Sequence, residues 1–246
     1  GFPDAPDQNH PEALGVGPSA LNNPNGIRWS TALGYLDPAR HRLNLTIRPN
    51  SLVKRILFEG NRATGVEVES CGERFIVEGE EIILSTGPIG SPHMLMLSGV
   101  GPSNQLRAQG IPVVHDLLGV GQNLRDHPFI PMTFRVKEGQ VMNESDPRVQ
   151  MILTLTATGS HLRRDLIIIV VSYAVEDGVT GSGIQEPIGF RLAVGLYLAA
   201  SSGELRLTSA DPDQQPSLDY RYLQEEFDLR RLREGIRTAV SLAEHQ

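Results

Sequence analysis

The stretch Ser85–Pro102, STGPIGSPHMLMLSGVGP, threads an apolar run between Gly87, Gly90, Gly99 and Gly101 and places Ser91-Pro92 at its centre. A core helix needs no such punctuation. The preceding EIILS sets Ile82, Ile83 and Leu84 in succession, which predicts a strand covered on both faces, the habit of a parallel sheet. Gly87 then makes a turn, Ser91 suits an N-cap, Pro92 suits the first helical position, and HMLMLS fills about two turns before Gly99. The order is strand, glycine turn, short helix. A strand end followed by a glycine turn is where doubly wound sheets leave a crevice, and Gly87 would let a ligand approach the main chain without meeting a Cβ. A plain tight turn is the structural alternative.

Outward from this stretch, β-type runs begin at Leu45: NLTI, SLVKRILF, TGVEVES and ERFIVE, punctuated by EGNRA and SCGE. Val66 and Val68 alternate with Glu67 and Glu69, the period of a strand with one wet face, so a meander is expected. PSNQLRAQG predicts a second short helix closed by Gly110, and IPVVHDLLGVGQNLRDHP a strand leading into a loop. Past Phe129, FIPMTFRV, DLIIIVVSYAV, FRLAVGLYLA and GELRLTS read as long strands of a mostly antiparallel sheet, joined by a polar loop around EDGVTGSGIQEP. The last segment is a helix, with Leu229, Leu232, Ile236, Ala239, Val240 and Ala243 at three- and four-residue spacing. The fold class expected is α/β (α+β). Residues 1–44 are expected to be a connecting segment, 45–128 part of one domain, and 129–246 a second domain.

Composition narrows the function. The 246 residues are 39% apolar and 21% charged, ordinary globular material, and the net charge of −7 argues against a nucleic-acid partner. Cys71 is the sole cysteine, which excludes an internal disulfide framework and permits a reducing compartment, with the cytoplasm expected. The longest apolar run, Leu166 to Val171, is far shorter than the roughly 20 residues of a membrane span. The Gly/Pro/Asn-rich opening without an initiator Met suggests a piece of something longer.

Most candidate motifs fail on context. The dinucleotide fingerprint G-x-G-x-x-G must follow a strand and open a helix. Neither the GVG at Gly15, nor that at Gly99, nor that at Gly119 does so, and all three read as turns. No histidine pair has the i, i+4 spacing of a metal site, so no metal is expected. Asp126 and His127 are adjacent in RDHP, but the structural reading of His127, a hydrogen-bonding group beside a turn, is preferred over an acid-base pair. There is no G-x-S-x-G elbow, and Cys71 lies in a hairpin turn. Asp211, Asp213 and Asp219 lack the ligand spacing of a calcium loop.

GPIGSPHMLMLSGVGP resembles the second signature of the glucose-methanol-choline (GMC) family of FAD-dependent oxidoreductases. IRWSTALGYLDPARHRLNLTI, RATGVEV, GIPVVHDLLGVGQNLRDHP and GELRLTSADP are similar to other family segments, in the family's order, and the likeness is closest to its alcohol and choline dehydrogenase branch. The resemblance implies a partial FAD-binding domain followed by a substrate domain. It implies that Ser85, Thr86 and Gly87 lie against the adenosine or ribose of FAD, that the backbone of Val53 meets the adenine, and that a small-molecule alcohol is the substrate. The family's N-terminal fingerprint and C-terminal catalytic His have no counterpart here, so no catalytic residue is expected within these residues. The chain by itself is expected to be inactive. A non-catalytic interaction module that keeps the family scaffold is the competing expectation.

Overall fold

The computed structural model describes residues 1–137, 139, 148–174 and 189–245. The polar loop expected at residues 176–187 lies outside them. In chain order the strands are β1 (Gly15–Pro18), β2 (Leu52–Glu59), β3 (Arg62–Ser70), β4 (Glu73–Glu78), β5 (Val100–Gly101), β6 (His115–Asp116), β7 (Gln122–Leu124), β8 (Phe129–Arg135), β9 (Val149–Leu155), β10 (Leu166–Ala174), β11 (Gly189–Leu196), β12 (Gly203–Arg206) and β13 (Ser217–Asp219). The principal helices are α1 (Gly87–Leu97), α2 (Ser103–Ala108) and α3 (Glu226–Glu244). The mixed, mostly antiparallel class expected from the sequence is the one observed.

The residues form two compact units, each with its own core. The first comprises Gly1–Ser30, Asp126–Ser201 and Tyr222–Gln246. Its antiparallel sheet has the order β1-β9-β10-β11-β8. Leu153, Leu166, Ile168, Val194 and Leu196 are buried there against Leu232 and Ala239 of α3, two of the positions whose spacing predicted the helix. Pro131 lies in β8, at an edge, where a missing N–H costs no ladder bond on the open side.

The opposite edge corrects the sequence reading: Gly15-Val16-Gly17 is a strand, not a turn. Val16 exchanges backbone bonds with Pro3 and Ala5, donating to the Pro3 carbonyl at 2.9 Å and accepting from the Ala5 N–H at 2.7 Å. A Cβ at Gly15 or Gly17 would strike the Pro3 or Ala5 carbonyl oxygen. The glycines serve close backbone approach, so low strand propensity is overridden.

α3 also buries charge. Asp228, Arg231 and Asp165 are all shut from solvent. Arg231 donates to Asp165 Oδ2 at 2.7 Å, to Asp228 Oδ1 at 2.5 Å and to the Leu198 carbonyl at 2.9 Å. Asp228 also accepts from the Ala200 and Ser201 N–H groups, and Asp165 from the Ala157 N–H and Ser160 hydroxyl. Every carboxylate oxygen has a donor, the condition for burying such groups.

The second unit comprises Thr31–Arg125 and Ser202–Arg221. It holds the meander β2-β3-β4, a second small sheet β13-β12-β7, and the parallel pair β5-β6. Met96, Leu106, Ile111, Val120 and Leu205 form its core. GELRLTS, expected in the long antiparallel sheet, instead supplies β12 here.

Three further expectations are corrected. NLTI is not a strand, and neither is EIILS: residues 82–85 carry no ladder pairing, and Ile83 is 84% exposed. Apolar composition alone does not make a sheet, because a strand needs a neighbour for its backbone groups. The helix expected from Ser91 starts at Gly87 instead, with Thr86 at the N-cap position and Pro88 in the first turn, so Pro92 and His93 fall inside it. Proline favours a first turn wherever one is offered, and Pro88 offers it earlier.

Candidate functional site: the glycine bend before α1

Ser85, Thr86, Gly87 and Pro88 are exposed at the bend where the chain enters α1. Gly87 has φ +83°, a left-handed conformation, and a Cβ built there would meet nothing within 4 Å. The bend is open. Thr86 Oγ1 and Ser91 Oγ lie 3.1 Å apart and share a hydrogen bond. No acidic residue occupies the first turn of α1, so the partial positive charge of the helix start is not offset by a carboxylate in that turn. These residues fit a nucleotide's sugar or phosphate: bare main chain, two hydroxyl groups and a helix start.

Of the four residues implied by the resemblance, three are therefore gathered at one bend. Val53 sits apart on β2, opposite Val68, and partly buried. β2 meets the other end of α1, where the Ile56 N–H donates to Ser98 Oγ at 2.8 Å and Ser98 Oγ donates to the Met94 carbonyl at 2.6 Å.

The sequence reading missed a groove of about 370 Å³ beside the bend. Pro88, Ser91 and Pro92 of α1 line one wall, and Asn123, Leu124 and Leu205 belong to the rest. Gly121 and Asn123 both take positive φ, +82° and +59°, which lets the GVGQN segment curl along the groove. The glycines of that segment were legible as a turn, its concavity was not. On the same helix, His93 Nε2 is closed off from solvent and has no hydrogen-bond partner among the described residues. Burial pushes the His93 pKa down.

The remaining candidates resolve structurally. Asp126 accepts from the His127 backbone N–H at 2.8 Å and from the Tyr222 hydroxyl at 3.0 Å, while the His127 ring stacks on Tyr197 at 4.6 Å. The carboxylate serves the turn and Tyr222, and the His127 ring makes a stacking contact. Cys71 is exposed in the β3–β4 turn, and Asp211 accepts the Asp213 N–H within its own loop. Among the described residues no three His, Cys, Asp or Glu side chains gather as a metal set, and no helix is long and apolar enough to cross a membrane.

The mixed architecture, with its open glycine bend at a helix start, is shared by solved neighbours. Pyridoxine 4-oxidase from Mesorbium loti superposes with a TM-score of 0.87 at 26% identity, over 100% of this chain and 49% of that one. Formate oxidase from Aspergillus oryzae gives 0.82 at 23% identity, over 98% of this chain and 50% of that one, a likeness of fold alone. Residues 1–129 match the N-terminal GMC oxidoreductase family and residues 199–246 its C-terminal counterpart. The chain belongs to the GMC oxidoreductase family, whose cofactor is FAD, as the sequence resemblance implied. A GMC-type oxidoreductase of Rhodococcus erythropolis is 36% identical over 99% of this chain and 47% of its own. An oxygen-dependent choline dehydrogenase of Paraburkholderia phytofirmans is 35% identical over 96% and 46%. The chain thus spans about half the length of these relatives.

Proposed function

We propose that the protein is part of an FAD-dependent oxidoreductase that oxidises the CH–OH group of a small alcohol. The observation that carries this reading is the open bend at Gly87 in a chain of the GMC family. FAD, when bound, supplies the hydride acceptor. The chain's own residues hold its nucleotide half: Gly87 admits the sugar against bare main chain, Ser85 and Thr86 offer hydroxyl groups, and the Val53 backbone meets the adenine. The unit containing α1 is the nucleotide side in this reading, and the unit built on the long sheet faces the substrate. The alcohol's proton must pass to a base with a pKa near the working pH. No histidine of this chain is assigned that role.

Within the 246 residues no G-x-G-x-x-G follows a strand and opens a helix, so these residues alone are proposed to hold FAD weakly and to give no turnover. Two preparations test the reading: these residues alone, and the product of the whole reading frame that contains them. The longer product should purify with a flavin band that choline or another small alcohol bleaches anaerobically. Absence of flavin binding there would overturn the function, and a stoichiometric yellow complex from the 246 residues would overturn their proposed inactivity.

A further inference from the structure

In the sheet unit, a recess of about 440 Å³ is lined by Pro11, Arg163, Arg164, Tyr197 and Leu198. Two cations at one recess are notable in a chain of net charge −7. Arg164 adopts φ +59°, a left-handed conformation for a long side chain, of a kind found at ligand clamps. Its guanidinium is fixed in place, donating to the carbonyls of Gln8 at 2.9 Å, His10 at 3.0 Å and Pro11 at 3.3 Å. These acceptors are dipoles, not charges. Among the described residues Arg164 has no carboxylate partner, and its Nε, shut from solvent, has no acceptor. The positive charge stands uncompensated.

The other lining groups complete a recognition pattern. Arg163 lines the recess, is 53% exposed and pairs with Glu12, a surface partner that a ligand carboxylate would have to replace. The Tyr197 hydroxyl has no hydrogen-bond partner among the described residues, and its ring is held by stacking on His127. Pro11, the Tyr197 ring and Leu198 supply an apolar wall, with Leu198 44% exposed. The Arg163 guanidinium fork and the Tyr197 phenol together suit a planar oxyanion, with the fixed Arg164 charge behind them, and the wall suits a hydrophobic body attached to it. We propose that this recess binds a small carboxylate carried on an apolar body. All five lining residues belong to the sheet unit.

The probe is benzoate, titrated by calorimetry against the purified protein at low salt, with benzamide as its neutral isostere and inorganic phosphate as the bare anion. Benzoate should saturate a single site, and benzamide should bind at least about tenfold more weakly, the cost of one charge-assisted contact. Arg163→Gln should weaken benzoate about tenfold. Glu12→Gln, which removes the competing carboxylate, should tighten it, and Leu198→Ala should weaken benzoate while leaving phosphate unaffected. All three positions are exposed, so the fold is kept. Arg164 is left unaltered because it ties down the N-terminal loop. Benzamide or phosphate binding as tightly as benzoate, unchanged affinity in Arg163→Gln and Glu12→Gln, or no benzoate heat up to about 10 mM would each overturn the proposal.

Discussion

Arg231 and Asp165 lie 2.7 Å apart, 66 residues from each other in sequence, and solvent reaches neither side chain. Asp228, one turn from Arg231 on α3, closes the cluster. Breaking it from one side leaves a charge stranded in the interior. Arg231→Met should therefore destabilise the sheet unit by roughly 3–5 kcal/mol, because two carboxylates lose their counter-ion. Chemical denaturation followed by circular dichroism measures this, and a loss under about 1 kcal/mol would show that the cluster is dispensable.

Acid should act through Asp228. Burial pushes its carboxyl up, but bonds from Ser201, Ala200 and Arg231 outweigh that and hold it below the usual range. A depressed folded-state value means stability is fully present above the unfolded value of roughly 3.9 and is lost as pH falls through the folded one. Asp228→Asn should flatten the acid limb of a stability profile recorded below about pH 4.

His93 should act in a higher window. Its pKa is pushed down by burial, so the unfolded chain binds the proton more readily. Stability should fall as pH drops below the unfolded value of about 6.5. His93→Met removes the titrating group, and its melting temperature should change less than the parent's between pH 7.5 and about 5.5. Equal slopes would place the effect elsewhere.

Gly87→Ala tests the bend. At φ +83° the added methyl meets no neighbour but strains the backbone, so a loss of about 1 kcal/mol is expected from conformation alone. If the nucleotide sits there as proposed, the flavin affinity of the whole reading-frame product should fall beyond what the stability change explains.

Ile83→Lys should leave the stability of the 246 residues within about 0.5 kcal/mol, because almost nothing packs on that side chain. A large loss would mean that the segment is covered in solution after all.

Local periodicity was legible where one face of an element meets a core. Leu232 and Ala239 on α3 and the alternation around Val68 were readable for that reason. The signature glycines and Ser-Pro were readable as a family pattern, and Gly87 among them marks the bend. The charged cluster was not readable, since Arg and Asp on a helix look like a solvent face and their partner lies on another element. Nor was β1, whose glycines answer to a second backbone rather than to any side-chain pattern. EIILS misled because apolar side chains report an appetite for burial, not the presence of a neighbouring strand.

The two borders of the long sheet have a bearing on solution behaviour. One is occupied by the Pro3–Ala5 strip laid along β1, which consumes the hydrogen-bonding groups of Val16, and the other carries Pro131, which interrupts the donor row of β8. Neither border offers an unbroken template to a second molecule, so the protein is shielded against aggregation by intermolecular strand addition at the place where a sheet this apolar would otherwise be most exposed to it.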